Sequence, residues 1–175
     1  MDQIILDVQT FIDTGGWVLI AIGIVLVLMW TLMIERFYYI FWVFPGVAEK
    51  AQKEWNARAD HSSWEAHQIR RLKISELRMG LEGGLGYIKT FVALSPLFGL
   101  LGTVTGMIEV FDVLSIAGSG NARAMAGGVS KATIPTMAGM VAALSGLLLS
   151  VRLEQHAADE GERLADRLEI EHGVG

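Results

Sequence analysis

WVLIAIGIVLVLMWTLMI, residues 17–34, contains no charged side chain. Wound as an α-helix at about 1.5 Å per residue, it is about 27 Å long, close to the hydrocarbon thickness of a bilayer. Glu35 and Arg36 close the run, and FYYIFWVF (37–44) follows with aromatic rings that favour the water–lipid interface. A cleaved leader does not fit. Asp2, Asp7 and Asp13 occupy the place of a basic leading segment, and the apolar run is too long.

Two further runs extend the pattern. Phe91–Val113 is interrupted only by Glu109 and Asp112, and residues 126–151 carry one charge, Lys131. Both are rich in Gly, Ala, Ser and Thr, as in GLLGTVTG (99–106) and TMAGMVAALSG (136–146). Gly102 and Gly106 stand four apart, as do Ala138, Ala142 and Gly146. This spacing lines small residues on one helix face, where they let backbones approach in lipid. The first span therefore reads as lipid-facing and the other two as a packed inner layer.

The spans explain the totals. Of 175 residues, 52% are hydrophobic and 19% charged, against about 25% charged in ordinary soluble domains. What lies outside the spans is too short for a second sizeable core, so one membrane domain is expected. A net charge of −5 argues against a nucleic-acid partner. With no cysteine, disulfide and thiol chemistry are excluded. His61, His67, His156 and His172 show no metal-ligand spacing, and no metal or other cofactor is expected.

Basic residues set the direction. Lys50, Lys53, Arg58, Arg70, Arg71, Lys73, Arg78 and Lys89 fall between the first two spans, and Arg152, Arg163 and Arg167 follow the third. No basic residue precedes Trp17, and only Arg123 lies in 115–125. Positive residues stay on the cytoplasmic side, which puts the N-terminus outside and the C-terminus in the cytoplasm. The expected fold is all-α: a three-span transmembrane helical protein, with helices extending into the cytoplasm. Residues 1–16 read as a periplasmic amphipathic helix, with Ile4, Ile5, Val8, Phe11 and Ile12 opposite Asp2, Asp7 and Asp13. Then come span one (17–44), a cytoplasmic helical loop (45–88), span two (89–114), a periplasmic connection (115–125), span three (126–151) and a cytoplasmic helix (152–175).

Catalysis finds little support. Ser95, Ser130, Ser145 and Ser150 have no obvious base, and no phosphate-binding GxxxxGK[ST] pattern occurs, so no enzyme is expected. What remains is polarity inside the spans. Thr103 lies about 21 Å along its helix from Lys89, and Thr136 about 24 Å from Arg152, so both reach a similar depth if these cations mark the boundary. A hydroxyl donates and accepts hydrogen bonds without titrating, so it can guide a proton or hydrate a pore. Its ordinary alternative is a bond to a carbonyl of its own helix. Glu109 and Lys131 are also level, about 30 and 32 Å from the same boundaries. Separate hydration at the outer headgroup level is their ordinary reading, and an ion pair between them, within or between subunits, is the alternative near this end of the spans. No carboxylate lies near mid-membrane, so a titrating group for proton transfer has to come from another chain.

LSPLFGLLGTVTGMIEVF (94–111) and GGVSKATIPTMAGMVAALSGLLLS (127–150) resemble the second and third spans of the ExbB/TolQ/MotA proton-channel family. The short length and three-span layout resemble the ExbB and TolQ branches more than the four-span MotA branch, and IPTMAGMVAALSG (134–146) leans towards ExbB. The resemblance implies a homopentamer around a central pore, with Thr103 and Thr136 matching the family's pore threonines. It further implies an ExbD-like single-span partner that supplies a titrating Asp, and a TonB-like protein that carries force to outer-membrane transporters, as in iron uptake. A TolQ-like role in envelope constriction, or a scaffold that conducts nothing, are the alternatives. One departure stands out: Lys131 occupies the position, five residues before Thr136, where ExbB and TolQ commonly carry Glu. Pro135 and Pro96 add free carbonyls inside the spans.

Overall fold

The computed structural model of the chain describes residues 2–58, 60, 61, 63–117 and 122–168, with side chains described throughout except at 2, 4, 5, 7–10, 12–14, 116, 117, 122–125 and 130. The expected N-terminal faces (Ile4, Ile5, Val8 and Ile12 against Asp2, Asp7 and Asp13), together with Arg123, Ser130 and His172, lie outside the described side chains. Among the described residues all regular structure is helical: α1 (Asp2–Tyr38), α2 (Phe44–Asn56), α3 (Trp64–Glu82), α4 (Leu85–Ala117) and α5 (Ala122–Arg167). Three stretches are long and apolar enough to cross a membrane, Gly15–Asn56, Trp64–Ser115 and Ala126–Arg167. Each contains one of the three apolar runs.

The breaks between helices have local causes. Within α1 the backbone leaves the helical region at Gly16 (φ 65°, ψ −164°), a conformation costly for any residue with a Cβ. At Tyr39–Val43 the helix widens into one π turn, and the N–H of Phe44 bonds back to the Tyr39 carbonyl. Pro45, at the start of α2, has no N–H to donate, which frees a carbonyl where the helix re-forms. Ser63 caps α3 by accepting a hydrogen bond from the Ala66 N–H at 3.1 Å. Gly84 (φ 80°) turns α3 into α4.

The chain divides into two compact units. The first comprises Met1–Thr31 and Ile88–Leu148, and its centre is Val18, Ile22 and Ala142 with Leu26 and Phe98 packed against them. Here the reading of span one as lipid-facing needs correction. Ile20, Ile24 and Val27 are exposed, but Val18, Ile22, Val25 and Met29 are buried. Gly102 leaves room for Val18, and Gly146 sits against the Met29 sulfur, so the small residues of α4 and α5 also receive α1.

The second unit comprises Leu32–Tyr87 and Leu149–Gly175. Phe44, Ala48, Ala51 and Trp55 recur along one buried stripe of α2, and Leu153, Ala157, Leu164 and Leu168 along one of α5. Arg70 binds the end of α5, its Nη2 donating to the Ala165 carbonyl at 2.8 Å and its Nε to that of Leu168. Those carbonyls have no partner within the helix, and a cation at this end opposes the negative pole of the helix dipole. Arg36 Nη1 donates to the Gly80 carbonyl at 3.1 Å while its guanidinium lies 5.3 Å from the Tyr39 ring centre. The His156 and Phe41 rings stack with centres 4.6 Å apart.

Candidate functional site: the helix pair α4–α5

In the first unit α4 and α5 meet backbone to backbone. A methyl group at Gly139 would fall 2.6 Å from the Ser95 carbonyl oxygen, one at Gly99 3.0 Å from the Thr136 Cα, and one at Gly106 2.7 Å from the Ala132 Cα. At Gly102 it would strike the Pro135 ring, and at Gly128 the Val110 side chain. Read along α4, positions 95, 99, 102, 106 and 110 therefore face 139, 136, 135, 132 and 128 of α5 in descending order, an antiparallel ladder. At Gly139 and Gly106 the clash is with backbone and at Gly102 with a proline ring, so a Cβ there has no room unless the helices part.

The packing residues named from spacing divide between two faces. Gly102 and Gly106 belong to the ladder. Ala142 is instead buried with Val18 and Ile22, and Gly146 meets Met29 and Val92. Ala138 is part-exposed and lines an open, almost wholly apolar groove between α1 and α5 with Leu19, Gly23, Leu26, Met137 and Val141. Spacing alone missed Gly99, Gly128 and Gly139. Their signal was the alternation of three- and four-residue steps, which follows the 3.6-residue turn and which a strict four-residue search passes over.

The close approach sets the chemistry of the threonines. Thr136 Oγ1 donates to the Gly99 carbonyl of α4 at 2.9 Å, so this hydroxyl bridges the two helices rather than serving its own. Gly99 makes the bond available, because without a Cβ it lets the Thr136 backbone within reach. Thr103, one turn further along α4, donates to the Leu100 carbonyl of its own helix at 2.7 Å and is part-exposed. Thr105 also bonds back, to Leu101 at 3.0 Å and Gly102 at 3.1 Å. Of the two threonines singled out by depth, one is an interhelical strut and the other presents its free lone pairs outward.

Lys131 Nζ lies 2.9 Å from Glu109 Oε2, across the same helix pair. Their side chains keep 40% and 63% of their exposure, so the pair is open on one side to whatever surrounds the helices. On its other side is a cavity of about 20 Å³ lined by Gly16, Trp17, Thr105, Gly106, Glu109, Lys131 and Pro135. That is near the smallest space that holds a water molecule. Pro135 has no N–H to give to the Lys131 carbonyl four residues earlier, which leaves an acceptor beside this space. No group of His, Asp or Glu that could hold a metal ion occurs among the described residues.

The chain is 40% identical over 89 residues to putative biopolymer transport protein ExbB-like 1 of Synechocystis sp., covering 47% of this chain and 35% of that one. It is 31% identical over 96 residues to the Tol-Pal system protein TolQ of Haemophilus influenzae (53% and 42%), and 35% identical over 66 residues to the biopolymer transport protein ExbB of Salmonella typhimurium (38% and 27%). The chain thus spans well under half the length of these relatives. Residues 44–166 match the family description as a whole, taking in α2 through nearly all of α5. This chain belongs to the MotA/TolQ/ExbB proton channel family.

Proposed function

We propose that the chain is the housing subunit of an ExbB-like motor in a bacterial inner membrane, a homopentamer that couples proton flow to work on outer-membrane transport. In this reading the N-terminus is periplasmic, the C-terminus and helices α2 and α3 are cytoplasmic, and α4 and α5 surround a central pore. Thr103 and Thr136 line the proton path. An ExbD-like single-span partner contributes the Asp that takes up and releases the proton, and a TonB-like protein carries the movement outward. The observation that carries the reading is the Thr136 hydroxyl bound across the helix pair to Gly99, in spans with no carboxylate of their own at that depth. With its one hydrogen committed to Gly99, such a hydroxyl keeps a lone pair that accepts from and orients a water on the proton path, and it stores no proton itself.

Substituting Thr136 by Val, and separately Thr103 by Val, tests this. Each variant is expected to lower motor-dependent transport by about a hundredfold or more, the low end of the 10²–10⁴-fold worth of a positioned proton-transfer group, while assembly and membrane level stay normal. A scaffold that conducts nothing would support normal transport in both. A TolQ-like role is a second reading, favoured by the match to the Haemophilus protein. Complementation separates the two: an ExbB-like chain restores siderophore uptake, and a TolQ-like chain restores detergent resistance of the envelope.

A further inference from the structure

In the second unit, α3 carries a shallow groove of about 390 Å³ lined by Arg71, Ile74, Ser75, Arg78, Met79 and Glu82. These positions recur at three, four and seven residues, so the groove follows one helix face. Both arginines are exposed, and Met79 keeps 61% of its exposure. The other exposed acids of α3, Glu65 and Glu76, project more than a quarter-turn away from this stripe.

Helix α5 carries the opposite pattern. Its buried stripe is Leu153, Ala157, Gly161, Leu164 and Leu168. The far side presents Gln155, Asp159, Glu162 and Asp166, all exposed and again at three- and four-residue steps. Of the cations on this helix, Arg163 is held by Glu160 at 2.7 Å. Arg152 lies at the end nearest the spans, and Arg167 flanks the stripe.

The two faces match level by level. Helices α3 and α5 run antiparallel in one chain, with Arg70 bonded to the carbonyls of Ala165 and Leu168 and the Arg78 side chain lying against Gly161. Stepping residue by residue from Arg70, Arg71 is level with Asp166, Ser75 with Glu162, Arg78 with Asp159, and Glu82 with Gln155. Arg152 lies less than a turn beyond Gln155, so the one acid of the groove also faces a cation. The Arg78 stem rests on Gly161 of its own chain, yet Arg71, Arg78, Asp159 and Asp166 all stay exposed, so both faces remain open to a further partner. A neighbour generated by rotation about the membrane normal keeps every residue at its own depth.

We propose that the α3 groove of one copy receives the acidic face of α5 from the next copy, with Arg71–Asp166 and Arg78–Asp159 as the ion pairs and Ile74 and Met79 between them. The surfaces differ, so the contact is heterologous and repeats around a ring until it closes. Charge complementarity of this kind fixes register and partner, while the apolar residues between the charges supply the buried area. The inference rests on the self-assembly in the functional reading above and is independent of proton conduction.

Because the chain has no cysteine, engineered pairs report without background. The full-length S75C and E162C chains, differently tagged, are co-expressed in membranes and treated with a short bismaleimide. Cross-linked dimers are expected only in the mixture, and a chain carrying both cysteines should form a ladder ending at the ring size. R71E with R78E should lower the cross-linking yield by about tenfold, and D159R with D166R on the partner chain should restore it, as expected when opposed charges set the contact. Membrane levels and α-helical content of each variant separate loss of contact from loss of fold. Equal yields with and without the charge reversals would make both faces merely solvated and overturn the proposal. Cross-linking by S75C alone would make the contact two-fold and overturn it as well. Transport is not the readout, so a failed threonine test leaves this result standing, and the reverse also holds.

Discussion

At the scale of single residues, the glycines of the helix ladder differ sharply from Gly23 on α1. A Cβ at Gly139 would meet a backbone oxygen at 2.6 Å, and a backbone atom retreats only if the whole helix moves. Gly139→Ala is therefore expected to cost about 1–3 kcal/mol, as overpacked interiors do. Gly23→Ala should be neutral or gain up to about 1 kcal/mol, because nothing lies within 4 Å of its added methyl. Thermal unfolding in detergent of the two variants measures the contrast. The Glu109–Lys131 pair gives a second residue-scale test. Lys131→Met leaves an uncompensated carboxylate near the lipid, and Glu109→Gln leaves an ammonium. Each single change should destabilise by about 0.2–1 kcal/mol, as exposed pairs do, with the double variant costing less than the sum. Additive costs in that cycle would mean the two groups are hydrated separately.

Elements carry their own constraints. Between α3 and α4, Gly84 combines φ 80° with an Arg36 guanidinium so close that a Cβ would lie 2.5 Å from its Nε. Gly84→Ala meets both the backbone strain and the clash, for a loss of about 2–4 kcal/mol. Gly86→Ala, two residues on with open space around it, is the control. The tie between α2 and α3 responds to pH. Lys73 Nζ bonds Glu54 Oε2 at 2.6 Å, and this hydrogen bond, then the ammonium charge, lowers the Glu54 carboxyl below its ordinary 4.5. A depressed carboxylate stabilises the fold above its unfolded-state value and loses that stabilisation as pH falls through its folded-state value. Wild type and Glu54→Gln should thus differ at neutral pH, converge as pH falls below the ordinary carboxylate range, and differ less in high salt. A gap that persists in acid would show that the ion pair is not its source.

At the scale of the whole molecule, the three long apolar helices and the family match make a membrane protein, and direction is the property to test. Single cysteines in the otherwise cysteine-free chain are the tool. A cysteine at Ser75 on α3 should react with an impermeant maleimide only when the cytoplasmic face is open, and one at Ser115 near the end of α4 only from the periplasm. The reverse pattern would invert the arrangement proposed above and place the α3 and α5 faces on the wrong side.

Much of this was legible without coordinates. Uncharged length is a one-dimensional property, so the run at 17–34 reveals a span wherever it sits. The family motifs in 94–111 and 127–150 are local strings in the same way. Depth is nearly as accessible, because the helix rise is constant. That is why Thr103 with Thr136 and Glu109 with Lys131 emerged as level pairs. Rotation about the helix axis is different, since it depends on what each neighbour offers. The four-residue spacing of Ala138, Ala142 and Gly146 marked a small-residue face but not its partner, and that face turned out to meet α1. The ladder to α4 instead uses Gly128, Ala132, Pro135, Thr136 and Gly139. The fate of each threonine hydroxyl likewise depended on the partner backbone: Gly99 brings a carbonyl within 2.9 Å of Thr136, while Thr103 finds none nearer than its own helix. Composition and periodicity thus determined that there are three helices long and apolar enough to span a membrane, and which polar groups stand level along them. Which helix each small face receives, and which hydroxyl bridges, was settled by three-dimensional packing, because close approach is a property of two surfaces and a sequence describes one at a time.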